Sequence, residues 1–411
     1  MAQRIFYAAG PGNVIRAHKH WEQGQLDPSQ MSRTYSGQFA DFCKSIAADA
    51  LIVSYCPAPD AYRSGKFIIE HDPKPFANAR GALYHVSEIL YGLQLLVKAL
   101  RFRADVAVIH SGTTHEFVLL LFTLAGIDVV PVLHNTPWPS GFKPKRLVRK
   151  LISRLDAVLF RRGARAVIGV SPECLRQVRE LTNGLRQDGL IEMRGQYIAD
   201  YFATIAPPMA ERPPFEVLYC GRVTHDKGVY DLLQIARRVE DLRPGLVRWT
   251  VCGDGPELAG LRRQHASMGL KDIVDIRGFT APAELKAVLE HSHAAIVPTR
   301  GEFAEGMALS AVEAILAGRP CVTSPVVPAL EVLRPACVEA RTNDVESYVA
   351  AIIELATSER LYRRLCAACP GLAAPFYEIA TGFAAALHRA IATTTPAAST
   401  MPEAVASHRE G

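Results

Sequence analysis

Short runs that are apolar on both faces recur along this chain, and helical stretches separate several of them. Candidate strands lie at residues 4–9, 51–56, 67–70, 106–110, 129–133 and 166–170, with helices at 83–100 and 115–125 between them. A strand apolar on both faces must be covered on both faces. Helices that join such strands do the covering and make the strands run parallel. The pattern predicts an α/β chain built on doubly wound parallel sheets.

The rhythm breaks once. Ile205-Ala-Pro-Pro-Met-Ala-Glu-Arg-Pro-Pro214 carries four prolines in ten residues, which reads as a linker over 204–214. Beyond it the alternation restarts, with strands at 215–220, 248–252, 273–276, 294–297 and 320–323. Helices are predicted at 228–241, 256–268 and 283–289. In the first of these, apolar residues at 229, 232, 233, 236 and 239 make one helical stripe. At 411 residues the chain suits two cores. The expected domains are 1–203 and 215–373, followed by a C-terminal helical segment at 374–393, its helix starting at 376. Residues 394–411, rich in Ala, Ser, Thr and Pro, read as disordered.

Composition narrows the function classes. A formal charge of +5 and a pI near 8.7 are too mild to imply nucleic acid. Nine scattered cysteines without framework spacing suggest reduced thiols in a cytoplasmic protein. Cys366-Ala-Ala-Cys369 has no second pair or histidine cluster nearby, so it reads as two small helical residues, with no metal expected. The N-terminus lacks a secretory apolar region, and the longest apolar run, 117–127, is about half of what a membrane span requires.

Four clusters fall at predicted strand ends in the second half, where ligands bind in open α/β sheets. In Cys220-Gly221-Arg222-Val-Thr-His-Asp-Lys227-Gly228, Gly221 permits a tight turn and two cations flank a helix start, which suits a diphosphate as well as a solvated loop. Gly253-Asp-Gly255-Pro-Glu257 has a dinucleotide look, but Leu258 stands where a third glycine belongs, so turn formation explains it better. Gly278-Phe279 is a further strand exit. The last cluster, Glu305-Gly306-Met307-Ala308-Leu-Ser-Ala-Val-Glu313, sets two carboxylates eight positions apart around a helix start. Carboxylates accept hydrogen bonds from hydroxyls, and the free amides between them suit an anion.

In this order and spacing the four clusters resemble the retaining glycosyltransferases of family 4, which have the GT-B fold: two Rossmann-like domains facing a central cleft. The resemblance covers about 215–335 and is thinner before it. It implies that Arg222 and Lys227 hold the donor diphosphate, and that Glu305 binds sugar hydroxyls beside the amides of Gly306, Met307 and Ala308. It further implies that Glu313 binds the ribose, and that Gly278 and Phe279 lie against the base beyond Gly221. In the first domain, His134 matches the family's active-site histidine, and Gly10 and Gly12 match its glycine loop at the donor phosphates. The C-terminal helix is expected to cross back to the first domain. No cofactor is implied, because the nucleotide-sugar is a substrate and no metal is expected. The acceptor would be a saccharide or a lipid-linked one. The chain departs from the pattern at Ala308, where the family usually has glycine, at Val327-Pro328 in place of Gly-Gly, and at Arg194-Gly195 in place of Asn-Gly.

Transfer from a nucleotide-sugar, in polysaccharide or glycolipid assembly, is the leading expectation. A sugar-nucleotide epimerase of the same fold and an inactive GT-B scaffold are the alternatives. One stretch bears on location. Residues 143–162 hold eight basic residues and one acid, with Leu147, Leu151, Leu155, Val158 and Leu159 on one helical face. Such a helix either rests on anionic lipid, as a peripheral contact at the inner face of the cell membrane, or packs on its own sheet with a solvated basic face.

Overall fold

A computed structural model describes residues 2–76, 79–208 and 214–391. The first sheet contains β1 (Arg4–Pro11), β2 (Asp49–Tyr55), β3 (Asp60–Ser64), β4 (Phe67–His71), β5 (Val106–His110), β6 (Asp128–Leu133), β7 (Val167–Gly169) and β8 (Leu190–Glu192). Their spatial order is β3-β4-β2-β1-β5-β6-β7-β8. The second sheet contains β9 (Phe215–Cys220), β10 (Val247–Cys252), β11 (Val274–Gly278), β12 (Ala294–Val297), β13 (Cys321–Thr323) and β14 (Cys337–Glu339), in the order β11-β10-β9-β12-β13-β14. The central strands are buried along their length, as β5 and β12 show at every residue. That is the doubly wound α/β architecture the apolar runs predict.

Order reverses twice, between β1 and β5 and between β9 and β12. At such a switch point the crossovers leave to opposite faces, so a crevice opens beyond the carboxyl ends of the two strands. Gly10, Gly12 and His110 stand at the first crevice. Gly221, Arg222 and the 298–306 loop stand at the second.

The domains touch along this line. The Thr136 hydroxyl donates to the Glu305 carbonyl at 3.1 Å, and the Tyr201 hydroxyl donates to the Pro282 carbonyl at 2.8 Å. Helix Phe383–Ile391 lies against helix Tyr35–Ser45 of the first domain. The Phe383 amide donates to Gln38 Oε1 at 2.7 Å, and Arg165 Nη2 donates to the Ile391 carbonyl at 2.7 Å.

Several elements differ from expectation. The helix anticipated over 376–393 is interrupted: Ala374–Tyr377 and Phe383–Ile391 are separate helices. The interdomain segment draws the intervening backbone out of the helical pattern. Arg194 N donates to Thr381 O, Tyr197 N to Phe376 O, and Gln196 Nε2 to Glu378 O. A Cβ on Gly382 would come within 2.5 Å of the Gln196 side chain, which fixes glycine there. Residues 115–125 make only the 3-10 turn Glu116–Leu119 and the short helix Leu120–Leu124. The first sheet is not wholly parallel, because β3 is antiparallel to β4. The proline-rich segment 205–214 and the tail 394–411 fall partly and wholly outside the described residues.

Candidate active site in the interdomain cleft

The second crevice is assembled by close backbone packing. Gly253, at φ 148°, lets the Gly221 carbonyl approach so closely that a Cβ would sit 1.8 Å from it, and a Cβ on Gly255 would sit 2.3 Å from the Val223 carbonyl. Val223 N donates to Asp254 O at 2.8 Å. These two glycines therefore seat the loop that carries Arg222. On the other side, Gly228 (φ 73°) allows Pro298 O within 2.0 Å of where a Cβ would be, and Arg300 N donates to Asp226 O at 2.9 Å. The Lys227 turn is thereby stitched to the loop leaving β12. Both cations owe their positions to glycines that a side chain would displace.

Lys227 meets Glu305 in an ion pair, with both side chains largely buried. The Thr299 hydroxyl donates to the same Glu305 oxygen at 3.3 Å. Phe303 lies beneath both cations: Lys227 Nζ is 4.2 Å from its ring centroid and the Arg222 guanidinium carbon 5.5 Å. A ring face attracts cations, so it holds the two positive groups on one side of the loop without neutralising them. Arg222, Lys227, Gly221, Glu305, Ala308 and Glu313 all line one cavity of about 360 Å³. A larger hollow of about 570 Å³, between helices Val14–Glu22 and Tyr35–Ser45, collects none of them.

Glu313 lines the same cavity from helix Leu309–Leu316. Burial pushes its carboxyl up to about 8, against a smaller lowering by the Tyr197 hydroxyl, which donates to Oε1 at 3.3 Å. Ala308 precedes this helix at φ 60°, in the left-handed region. The family's glycine at this place thus has a conformational reason, and alanine here carries strain.

His134 ends β6. Its ring lies 4.1 Å from His110 and 4.6 Å from Tyr35, centroid to centroid. Burial lowers it to about 4, and its Nε2 has no hydrogen-bond partner among the described residues. It is a neutral imidazole at neutral pH. Its backbone carbonyl abuts Gly306, where a Cβ would come within 1.8 Å, so His134 stands directly beside the Glu305 loop. Met307 is buried. Gly10 (φ 76°) faces His110 and Thr113, and Gly12 N donates to Tyr55 O at 3.2 Å. Gly278 and Phe279 stand at the end of β11, outside the cavity wall, with Phe279 71% exposed. Sequence reasoning missed Thr136, Tyr197, Thr299 and Phe303. Thr299 and Phe303 sit in the loop already singled out. Tyr197 and Thr136 act across the cleft and left no local signal.

Among the described residues no group of His, Cys, Asp or Glu could hold a metal ion, and no helix is long and apolar enough to cross a membrane.

Two facing Rossmann-like domains define the GT-B fold. A crystal structure of Anabaena Alr3699/HepE in complex with UDP superposes with a TM-score of 0.64 at 15% identity, covering 95% of this chain and 99% of that one. Residues 214–358, most of the second domain, match the family described as Glycosyl transferases group 1. The chain is 30% identical over 108 residues to 2-deoxystreptamine N-acetyl-D-glucosaminyltransferase of Niallia circulans, covering 26% of this chain and 27% of that protein. It is 35% identical over 124 residues to glycogen synthase of Mycobacterium tuberculosis, covering 29% and 28%. The chain thus spans less than a third of the length of these curated relatives.

Proposed function

We propose that the protein is a retaining, metal-independent glycosyltransferase of family 4 type. It moves a sugar from a nucleotide-sugar to an acceptor hydroxyl in polysaccharide or glycolipid assembly. The observation that carries this reading is the convergence of Arg222, Lys227, Glu305 and Glu313 on one cavity. An isomerase needs acids and bases ringing the sugar. Two cations and the Glu313 carboxyl lining one cavity suit a diphosphate leaving group and a ribose.

Breaking the anomeric C–O bond leaves positive charge on the sugar and negative charge on the departing diphosphate oxygen. Arg222, Lys227 and the amides opening helix Leu309–Leu316 stabilise that oxygen, and one preorganised donor of this kind contributes roughly 3 kcal/mol. The acceptor hydroxyl attacks from the face the diphosphate leaves, and its proton passes to the leaving phosphate oxygen. Glu305 orients the sugar hydroxyls, and neutral His134 offers a hydrogen bond from the opposite wall. The domain contacts at Thr136 and Gly306 keep water from competing with the acceptor.

The test is slow hydrolysis of a panel of UDP-, GDP- and ADP-sugars, followed by transfer to saccharide acceptors. A product of retained anomeric configuration by NMR is expected. Inverted product would remove the same-face mechanism, epimerised donor would establish the isomerase, and no turnover with intact nucleotide binding would leave a scaffold.

A further inference from the structure

The helix Ala82–Phe102 covers the first sheet with one face and leaves the other bare. Leu83, Val86, Leu90, Leu93, Val97 and Leu100 are each more than a third exposed. They recur at alternating steps of three and four, which makes one continuous apolar stripe over about five turns of helix. Helix Leu147–Val158 is odder still, for it has no buried residue at all. Leu147, Val148, Leu151, Leu155 and Val158 all face solvent. The helix packs on the turn Glu116–Leu119, with Ile152, Ser153, Asp156 and Ala157 half-buried, and leaves its predicted apolar face outward. Only Leu159, in the turn that follows, is buried.

The two helices adjoin. The Tyr84 ring meets His115 at 6.1 Å, Arg149 acts electrostatically on Tyr84, and the Phe117 amide donates to Asp156 at 2.9 Å. Both pack on the turn Glu116–Leu119 and both carry exposed apolar side chains, with Arg146, Arg149, Lys150, Arg154, Arg161 and Arg162 on or beside the second helix. None of these six forms an ion pair among the described residues. Monomeric proteins rarely leave apolar stripes of this kind uncovered, which points to a partner.

Charge decides which partner. Stripes spaced three and four apart also suit a second copy of the chain. A second copy packed here would bring its own six unpaired cations against these, and no acidic cluster on this face would meet them. An anionic bilayer supplies both the apolar interior and the opposite charge. We propose that the first domain docks on an anionic membrane surface through helices Ala82–Phe102 and Leu147–Val158. Helix Ala82–Phe102 begins at the carboxyl end of the sheet, where Lys74 bridges Glu88 and the Gly112 carbonyl. The docked face therefore continues to the cleft, and under the transfer reading the acceptor is lipid-linked.

The experiment is co-sedimentation of the full chain with vesicles of phosphatidylcholine alone or mixed with phosphatidylglycerol. Binding about tenfold or more tighter to the anionic vesicles, and falling with added salt, is expected. Arg146→Glu, Arg149→Glu, Lys150→Glu and Arg154→Glu together should abolish that preference. Leu90→Ser with Leu93→Ser should weaken binding to the anionic vesicles at unchanged net charge. Unfolding profiles confirm that each variant is folded. Equal binding to both vesicles, or to neither, overturns the proposal. So does a stable dimer that the leucine variants dissociate. Vesicle binding needs no turnover, so its failure is distinguishable from failure of the glycosyltransferase reading.

Discussion

The Tyr197 hydroxyl donates to Glu313 across the domain boundary at 3.3 Å. It ties the segment joining the domains to a carboxyl that lines the cavity. A ribose that needs Glu313 must share that carboxyl with Tyr197 or displace it. Glu313→Gln should weaken nucleoside diphosphate binding by up to about tenfold, the scale of one buried hydrogen bond. Tyr197→Phe should change it by less than about threefold, since Glu313 remains. Isothermal titration with UDP, GDP and ADP measures both. Equal losses in the two variants would mean that Tyr197, not Glu313, makes the nucleotide contact.

Arg222 and Lys227 share the Phe303 face, but only Lys227 is paired with Glu305. Replacing either with Met should lower kcat by about 10²–10³, the loss expected for one preorganised charge on a leaving group. Lys227→Met also leaves Glu305 without its cation, so KM for the donor should rise more than in Arg222→Met. Steady-state kinetics with the accepted donor gives the split. A variant that changed KM alone would show that the cation binds the ground state and does nothing for bond breaking.

The sheets were legible because a strand buried on both faces leaves an uninterrupted apolar run, as 106–110 and 294–297 do. The second crevice was legible because the close backbone approaches at Gly228, Gly253 and Gly255 can be made by few other residues. What crosses between domains was not. Tyr197 and Thr136 are ordinary polar residues whose partners lie more than a hundred positions away. The helix at 83–100 misleads for a related reason. Its leucines are the residues that normally enter a core, and only the fold shows that four of the six face outward.

Ala308 offers a stability test. At φ 60° an alanine pays roughly 1–2 kcal/mol relative to its preferred conformations, and glycine does not. Glycine also has more freedom to lose on folding, so the net gain for Ala308→Gly is smaller, roughly 0.5–1 kcal/mol. A urea titration should show a higher midpoint at unchanged slope. A destabilised variant would mean that the methyl, which is buried, contributes more by packing than its backbone costs.

Gly306 probes the closed cleft. A methyl there cannot coexist with the His134 carbonyl. Gly306→Ala should therefore push apart the 134–136 and 305–306 strips and break the Thr136 hydrogen bond. Each domain keeps its own strand ladder, so the variant should remain folded. Transfer should fall by at least about tenfold relative to hydrolysis of the donor, because water now enters where the acceptor should stand alone. An unchanged ratio of transfer to hydrolysis would show that this contact does not guard the reaction.

Buried carboxyls and imidazoles set opposing pH dependences. Burial, with a smaller contribution from Asp156, pushes Glu116 up to about 8, and burial pushes Asp156 up to about 7. Each holds its proton more firmly folded than unfolded. The stability they confer is complete below the ordinary carboxyl values of 4.5 and 3.8 and is lost as pH rises through 7 and 8. His115 and His134, pushed down to about 4 by burial, act the other way. Their contribution is complete above the ordinary value of 6.5 and is lost as pH falls through 4. Between about 4.5 and 6.5 the two trends oppose each other. Above that range the imidazoles no longer titrate in either state and only the carboxyls change, so Tm should fall steadily from about pH 6.5 to about pH 8. Glu116→Gln should flatten that decline. A Tm that rose across the same range would require these carboxyls to be ionised in the folded protein.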